Sequence, residues 1–155
     1  ARSAVDFFAQ MFGLGESARP VLARAEPHRF TDASVDSPQM MNAVSLINLA
    51  TVDDFARRIG EPVDPLRFRA NFYFDGFAPF REMQAPEGEL HIGSVRLRIL
   101  QRIQRCAATE VSLQTAQRDI PVPRLLKQHY GHVLMGVYAE VLDAGTIHPG
   151  DLIDY

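Results

Sequence analysis

The single cysteine of this chain, Cys106, is the residue best suited to chemistry. It follows an arginine in the stretch QRIQRCAATEV, residues 101–111, and no acidic residue occurs between Leu90 and Thr109. Nearby positive charge favours the thiolate, the form of cysteine that binds soft metals and attacks sulfur. A lone cysteine in a β-rich protein is, however, most often a small buried apolar residue. Both interpretations are open from the sequence. Four arginines fall within the ten residues before Cys106: Arg96, Arg98, Arg102 and Arg105.

A second group of polar side chains lies in the stretch RFRANFYFD, residues 67–75. Apolar and polar residues alternate there, which predicts a β-strand. Arg67, Arg69 and Asn71 occupy alternate positions, so one face of that strand would carry all three side chains. Guanidinium groups bind oxyanions through paired hydrogen bonds. The pattern therefore predicts an oxyanion pocket lined by these residues, with Arg69 as the strongest contributor.

The histidines do not indicate a metal site. Only His129 and His132 are close in the sequence, and Gly131 interrupts any helix that could join them. A histidine that activates Cys106 as a nucleophile would have to approach it in the folded chain, which the sequence does not decide.

Composition and charge restrict the classes of partner. The 155 residues, 46% of them hydrophobic, can bury a core as one domain without disulfides or a structural metal. A net charge of -3 argues against a nucleic-acid partner, because phosphate-backbone affinity needs many basic contacts. The single cysteine favours an intracellular setting, with the cytoplasm as the expected location. No apolar run reaches the roughly 18 residues of a membrane-spanning helix, so no membrane contact is expected.

Helix signals occur at three places. Residues 3–12 read as an amphipathic helix with Ser3 as its N-cap. A second helix is predicted with Thr51 as its N-cap and Gly60 at its end. The stretch PVPRLLKQHYG, residues 121–131, has a proline near its start and predicts a third.

Strand signals dominate the remainder of the chain. The stretch PVLARA, residues 20–25, has the composition of an edge strand. A hairpin is expected around Gly93 and Ser94, with its second strand continuing through Cys106. Residues 135–142 and 150–155 complete the strands, and no βαβ alternation is present. The prediction is a mostly β fold, a barrel with a few short helices, in which seven side chains are mostly buried: Phe68, Phe72, Val95, Leu97, Ile99, Val137 and Val141.

Six short motifs occur in the order found in MOSC domains, the family related to the C-terminal part of molybdenum cofactor sulfurase. They are RFRAN at 67–71, Glu82, Ile92-Gly93, RCAAT at 105–109, GVYAEV at 136–141 and GTIHPGD at 145–151. Two earlier segments, HRFTD at 28–32 and SLINLAT at 45–51, also resemble the family. The resemblance runs from about Phe30 to the C-terminus and implies a barrel-like fold that holds molybdenum cofactor, or handles sulfur for it.

The resemblance also implies roles for particular residues. In members such as the mitochondrial amidoxime-reducing component, the cysteine of the RC motif ligates molybdenum, and Cys106 stands at that position. Arg69 and Asn71 match the residues that hold the pterin and its phosphate, while Ser45 and Tyr138 match further cofactor-lining positions.

The chain departs from the family pattern in three places. Ala70 stands where many members have proline, and Thr115-Ala116 stands where they have Thr-Gly. The family usually also has an N-terminal portion with a Gly-Asp-Arg segment. We therefore expect residues 1–155 to be one MOSC-like domain that lacks that portion and begins with a helix and an irregular segment over 1–29.

Three functions share this set of residues. The first is a molybdenum-cofactor oxidoreductase that acts on N-oxygenated or related small molecules. The second is a sulfur carrier in which Cys106 cycles through a persulfide, and the third is a non-catalytic module that binds an anion or a protein. No flavin, haem or iron–sulfur motif is present, so an oxidoreductase would take electrons from a redox partner protein. A sulfur carrier would instead serve a cofactor-biosynthesis protein.

Overall fold

A computed structural model describes residues 3–21, 37–84 and 88–154 of the chain. The chain divides into two compact units, Ala1–Thr31 and Asp32–Tyr155. The expectation of a single domain over 1–155 stays a prediction.

The first unit contains helix α1, Ala4–Met11. The side chain of Ser3 accepts a hydrogen bond from the Asp6 N–H, and the Asp6 carboxylate accepts one from the Ser3 N–H, which completes a capping box. The predicted helix and its N-cap are therefore confirmed. A short 3₁₀ turn, Glu16–Ala18, follows, and most of the predicted edge strand over 20–25 lies outside the described residues.

The second unit is built on a six-stranded sheet that curls into a nearly closed barrel. Its strand order is β2-β1-β5-β4-β3-β6; β1 and β2 are parallel and every other neighbouring pair is antiparallel. This arrangement confirms the predicted mostly β barrel with short helices. The elements are α2 (Pro38–Met41), β1 (Val44–Asn48), α3 (Leu49–Ile59), β2 (Phe72–Phe74), β3 (Glu89–Ile92), β4 (Val95–Gln104), α4 (Val122–Tyr130), β5 (Leu134–Asp143) and β6 (Ile153–Asp154).

Apolar side chains pack on both faces of the sheet. Along β1, Leu46 belongs to the cluster inside the barrel, and Ile47 belongs to the cluster beneath α3 and α4. This alternation follows from the two-residue period of a strand. The described part of the chain has no helix that is both long and apolar enough to cross a lipid bilayer.

The burial prediction is correct for most of its seven residues. Five are buried, and Phe72 is partly buried against the barrel interior. Val141 is 41% exposed, so that part of the prediction is wrong. The reason is the length of the neighbouring strand: β1 begins at Val44, which pairs with Ala139, so Val141 extends past the end of β1.

Two local predictions are also wrong. The stretch 67–75 is not one strand, because Pro65–Phe68 forms a 3₁₀ turn and only Phe72–Phe74 is extended. Asp64 favours the turn by accepting a hydrogen bond from the Leu66 N–H. Helix α3 is capped by Asn48 rather than by Thr51, because the helix begins directly where β1 ends. The helix end at Gly60, the third helix and the turn at Gly93 and Ser94 are as predicted.

Candidate functional site

Cys106 lies just beyond the end of β4, at the start of a 3₁₀ turn over Ala107–Glu110. The strand ends at Gln104, so the prediction that it continues through the cysteine is wrong. The Cys106 side chain is exposed, which contradicts its interpretation as a buried core residue. Its backbone is held in place, because the Cys106 carbonyl accepts hydrogen bonds from the N–H and hydroxyl of Thr109, at 3.1 and 2.8 Å.

Arg67 points into the protein rather than along a shared strand face. Its side chain is 4% exposed, and its Nη1 and Nη2 atoms donate to the Asp119 carboxylate at 3.0 and 3.1 Å. Nη1 also donates to the Thr109 carbonyl at 3.1 Å. Hydrogen bonds from Arg67 lower the pKa of Asp119, with partial desolvation opposing them. Arg67 therefore supports the turn that follows Cys106, and its role as a cofactor ligand stays a prediction.

Arg69 and Asn71 lie on the exposed turn between the 3₁₀ segment and β2. Arg69 has a φ of +51°, a left-handed conformation that few residues other than glycine adopt. A hydrogen bond after Arg69 holds the turn, because the Ala70 N–H donates to the Tyr73 hydroxyl at 2.9 Å. The exposed guanidinium of Arg69 is thus presented by a fixed backbone.

Asn71 is joined to Ser45 by reciprocal hydrogen bonds. The N–H and hydroxyl of Ser45 both donate to Asn71 Oδ1 at 2.9 Å, and the Asn71 N–H donates to Ser45 Oγ at 3.0 Å. Ser45 is the direct cross-strand partner of Tyr138, so their side chains emerge on the same face of the sheet. Three of the predicted site residues are therefore brought together, although they are far apart in the sequence.

Arg105 directly precedes Cys106 in the chain and is buried. Its side chain is 8% exposed; Nε donates to the Met135 carbonyl at 2.8 Å, and Nη1 donates to the Phe68 carbonyl at 3.2 Å. Nη2 is buried and has no hydrogen-bond partner. Burial lowers the pKa of Arg105 to about 10, opposed by attraction to Tyr138, Cys106 and Tyr73, so the group remains charged at neutral pH.

Arg105 was not among the predicted site residues. The signal available in the sequence was its position directly before Cys106 in the RC motif. Its burial, in contrast to the exposure of Cys106, is known only from the structure.

A model of the MOSC domain matches residues 26–154. The chain belongs to the MOSC domain family. Related proteins of this family bind molybdenum cofactor.

Two solved structures resemble this MOSC domain in fold. YiiM from Geobacillus stearothermophilus is 22% identical, with a TM-score of 0.54 over 71% of this chain and 52% of that one. The YuaD protein from Bacillus subtilis is 19% identical, with a TM-score of 0.57 over 71% of this chain and 61% of that one. The match thus covers between about half and three-fifths of those longer chains. A comparison with curated proteins gives no match.

The residues of this MOSC domain are chemically suited to the family's cofactor. Cys106 offers a soft exposed sulfur, Arg69 an exposed guanidinium, and Arg105 a buried charge with one unused donor. In the part of the chain that the structure describes, no three His, Cys, Asp or Glu side chains lie close enough to hold a metal.

A second buried polar network in the MOSC domain lies where β1 meets α3. Glu82 is fully buried and accepts hydrogen bonds from Asn48 Nδ2 at 3.0 Å and from Thr51 Oγ1 at 3.1 Å. Burial raises the pKa of Glu82, and these hydrogen bonds oppose the shift. The family motif residue Glu82 thus joins the segment after β2 to the start of α3.

His132 and a surface cavity are further candidate sites, and neither involves the predicted site residues. His132 Nδ1 accepts a hydrogen bond from the Leu134 N–H at 3.2 Å, and the ring stacks on Tyr130, so it is engaged in packing. A cavity of about 310 Å³ is lined by Gln39, Asn42, Glu140 and Val141, none of which is a predicted site residue.

Proposed function

We propose that this MOSC domain binds molybdenum cofactor (molybdopterin) and forms part of an oxidoreductase that reduces N-oxygenated or related small molecules. The observation that supports this proposal best is the exposure of the Cys106 thiol at the position of the family's RC motif. The residue before it in the chain, Arg105, is buried, and its Nη2 lacks a partner. Membership of the family provides the cofactor class.

Each residue has a distinct task in this proposal. Cys106 would ligate the metal through sulfur, because thiolates are soft ligands. Arg69 and Asn71 would hold the phosphate and pterin, with Ser45 keeping the Asn71 side chain in place. Tyr138 would line the same face, and Arg67 would hold the turn after Cys106 from behind. When bound, the cofactor would supply two-electron redox chemistry.

The proposal also requires partners. The sequence has no motif for a flavin, a haem or an iron–sulfur cluster, so electrons would come from a redox partner protein. The cytoplasm is the proposed location, and a small molecule is the proposed substrate.

A metal analysis of the purified full chain tests this function. The protein is produced in cells that make molybdenum cofactor, and molybdenum per protein is measured for wild type and Cys106→Ser. We expect wild type to retain molybdenum and Cys106→Ser to lose it. Ala108→Ser, at an exposed position in the same 3₁₀ turn, is the matched control and should retain the metal. Equal molybdenum in wild type and Cys106→Ser would contradict a ligand role for Cys106.

The sulfur carrier is a second candidate, favoured by the exposure of Cys106. Its thiolate would attack the outer sulfur of a donor persulfide, and the donor thiolate would leave. The same purified samples distinguish this function. A carrier would contain no molybdenum, and intact mass would show one extra sulfur atom that dithiothreitol removes. Neither metal nor extra sulfur, with retained binding of inorganic phosphate, would support an anion-binding module.

A further inference from the structure

Arg105, which follows the end of β4, is a buried arginine with no carboxylate partner among the described residues, unlike Arg96 and Arg98 of β4. Arg96 pairs with Asp143 at 2.8 Å, and Arg98 lies 3.9 Å from Glu140. The donors of Arg105 instead reach two backbone carbonyls, and Nη2 reaches nothing. The protein therefore carries one buried positive charge that no described acidic group neutralises.

Neutral groups compensate this charge only in part. The guanidinium carbon of Arg105 lies 5.3 Å from the centroid of the Phe68 ring, and the Phe68 carbonyl accepts a hydrogen bond from Nη1. Ring and carbonyl dipoles attract a cation without cancelling its charge. A buried charge without a counter-ion is costly, so such groups are kept where a function requires them.

Arg105 directly precedes Cys106, so their Cα atoms lie about 3.8 Å apart. Its Nη1 atom also donates to the carbonyl of Phe68, the residue before Arg69. Because Nη2 is shielded from solvent, a ligand would sense Arg105 through its electric field rather than by contact. Solvent screens a buried charge less than an exposed one.

We propose that the buried charge of Arg105 makes the surface at Cys106 selective for negatively charged groups. Arg105 is thus a positioning residue: its field attracts an anion to the sulfur, and its hydrogen bonds join the Phe68 end of the Arg69 turn to β5. The proposal rests on the proposed function for the identity of that anion. The selectivity itself is a property of this chain and can be measured without cofactor.

Two alkylating reagents measure this selectivity in the cofactor-free full chain. Iodoacetate is negative and iodoacetamide is neutral, yet both form a carbon–sulfur bond with the Cys106 thiolate and release iodide. The ratio of their rates is therefore independent of the fraction of thiolate. We expect a higher iodoacetate-to-iodoacetamide ratio in the native protein than in the urea-unfolded chain, despite the net charge of -3.

Variants then assign the effect to Arg105. Arg105→Met should lower the ratio about two- to fivefold, as expected for a unit charge acting across a partly polar medium. Arg105→Lys retains the charge and should retain most of the ratio. Arg98→Met removes the same charge from β4, roughly 25 Å away along an extended chain, and should leave the ratio unchanged.

Removal of the exposed charge at Arg69 provides a second test, in case Arg105→Met does not fold. An effect of the buried Arg105 should persist in Arg69→Met, whereas an effect of the exposed Arg69 should be lost. A native ratio no higher than the unfolded one, loss of the excess in Arg69→Met, or a folded Arg105→Met variant with the wild-type ratio would each overturn the proposal. Molybdenum analysis remains separate: metal without selectivity contradicts this inference alone, and selectivity without metal contradicts the cofactor proposal alone.

Discussion

Two buried arginines, Arg67 and Arg105, differ in their hydrogen-bond partners. Arg67 gives two of its nitrogen atoms to the Asp119 carboxylate, whereas Arg105 donates only to backbone carbonyls. Both are less than one tenth exposed, and each leaves one buried nitrogen without a partner, Nε in Arg67 and Nη2 in Arg105. Burial and an unused donor therefore do not by themselves distinguish the two arginines; the charge of the partner does. Arg67 is neutralised by Asp119, while no described acidic group neutralises Arg105.

The largest expected effect on stability is at Gly136, whose backbone packs closely against the Arg105 side chain. Gly136 has a φ of +76°, and a Cβ there would lie 2.5 Å from the Leu46 carbonyl oxygen and 3.0 Å from Arg105 Nη2. Gly136→Ala should therefore lower the free energy of unfolding by about 3 kcal/mol or more, measured by urea denaturation. Gly131→Ala is the matched control, because its φ is +78° but nothing lies within 4 Å of a Cβ there. The control should lose only about 1 kcal/mol. Equal losses would mean that the close approach at Gly136 has no importance.

Replacing each of the two buried arginines by methionine should affect stability differently. Arg67→Met removes the partner of Asp119 and the donor to the Thr109 carbonyl, so we expect a loss of about 2 kcal/mol in the free energy of unfolding. Arg105→Met removes an unpaired charge, so its effect on the cofactor-free protein should be within about 1 kcal/mol of zero. Urea denaturation of both variants at neutral pH is the measurement. A larger loss for Arg105→Met than for Arg67→Met would reverse the assignment of the two roles.

The pH dependence of stability tests the ion pair between Arg67 and Asp119. The pKa of Asp119 is lowered in the folded protein by hydrogen bonds from Arg67, so the ionised carboxylate stabilises the fold. That contribution is fully present above the unfolded pKa of about 3.9, and it is lost as the pH falls through the lower folded pKa. Wild type should therefore be more stable than Asp119→Asn at pH 7, and the difference should shrink in acid. A difference that stays constant with pH would show that the hydrogen bonds, rather than the charge, matter.

The smallest effect on stability is expected at the exposed arginine. Arg69→Lys should change the free energy of unfolding by no more than about 0.5 kcal/mol, because the side chain lies at the surface. Binding of inorganic phosphate should nevertheless weaken about tenfold, since lysine lacks the fork of donors that guanidinium offers. Calorimetry measures this affinity, and Arg57→Lys, an exposed arginine of α3, is the control. Unchanged affinity would mean that Arg69 carries only solvated charge.

Much of the fold follows from local patterns. Alternation in β4 predicts that Val95, Leu97 and Ile99 are buried, and they are. Pro123 and Gly131 mark the third helix because their backbone preferences act over one or two residues. The same local logic is wrong at residues 67–75, where Asp64 and Pro65 favour a 3₁₀ turn over the apparent alternation.

The motif residues were also recognisable in the sequence, but their arrangement was not. The reciprocal hydrogen bonds of Ser45 and Asn71 join residues that are 26 positions apart. No periodicity predicts such a contact, because it depends on β1 and β2 being neighbours in the sheet. The buried network of Glu82 is similar: the sequence marks the residue, and the meeting of β1 with α3 decides its partners.

By itself, the sequence determined the class of fold, the one thiol and the motifs of the MOSC family, because these depend on residue type and on spacing along the chain. Only the tertiary structure decided which buried arginine is neutralised. Asp119 lies 52 positions from Arg67 and reaches it through chain folding alone, and no described carboxylate reaches Arg105. Electrostatic interactions depend on distance in space and on exclusion of water, and neither quantity can be read from the order of the residues.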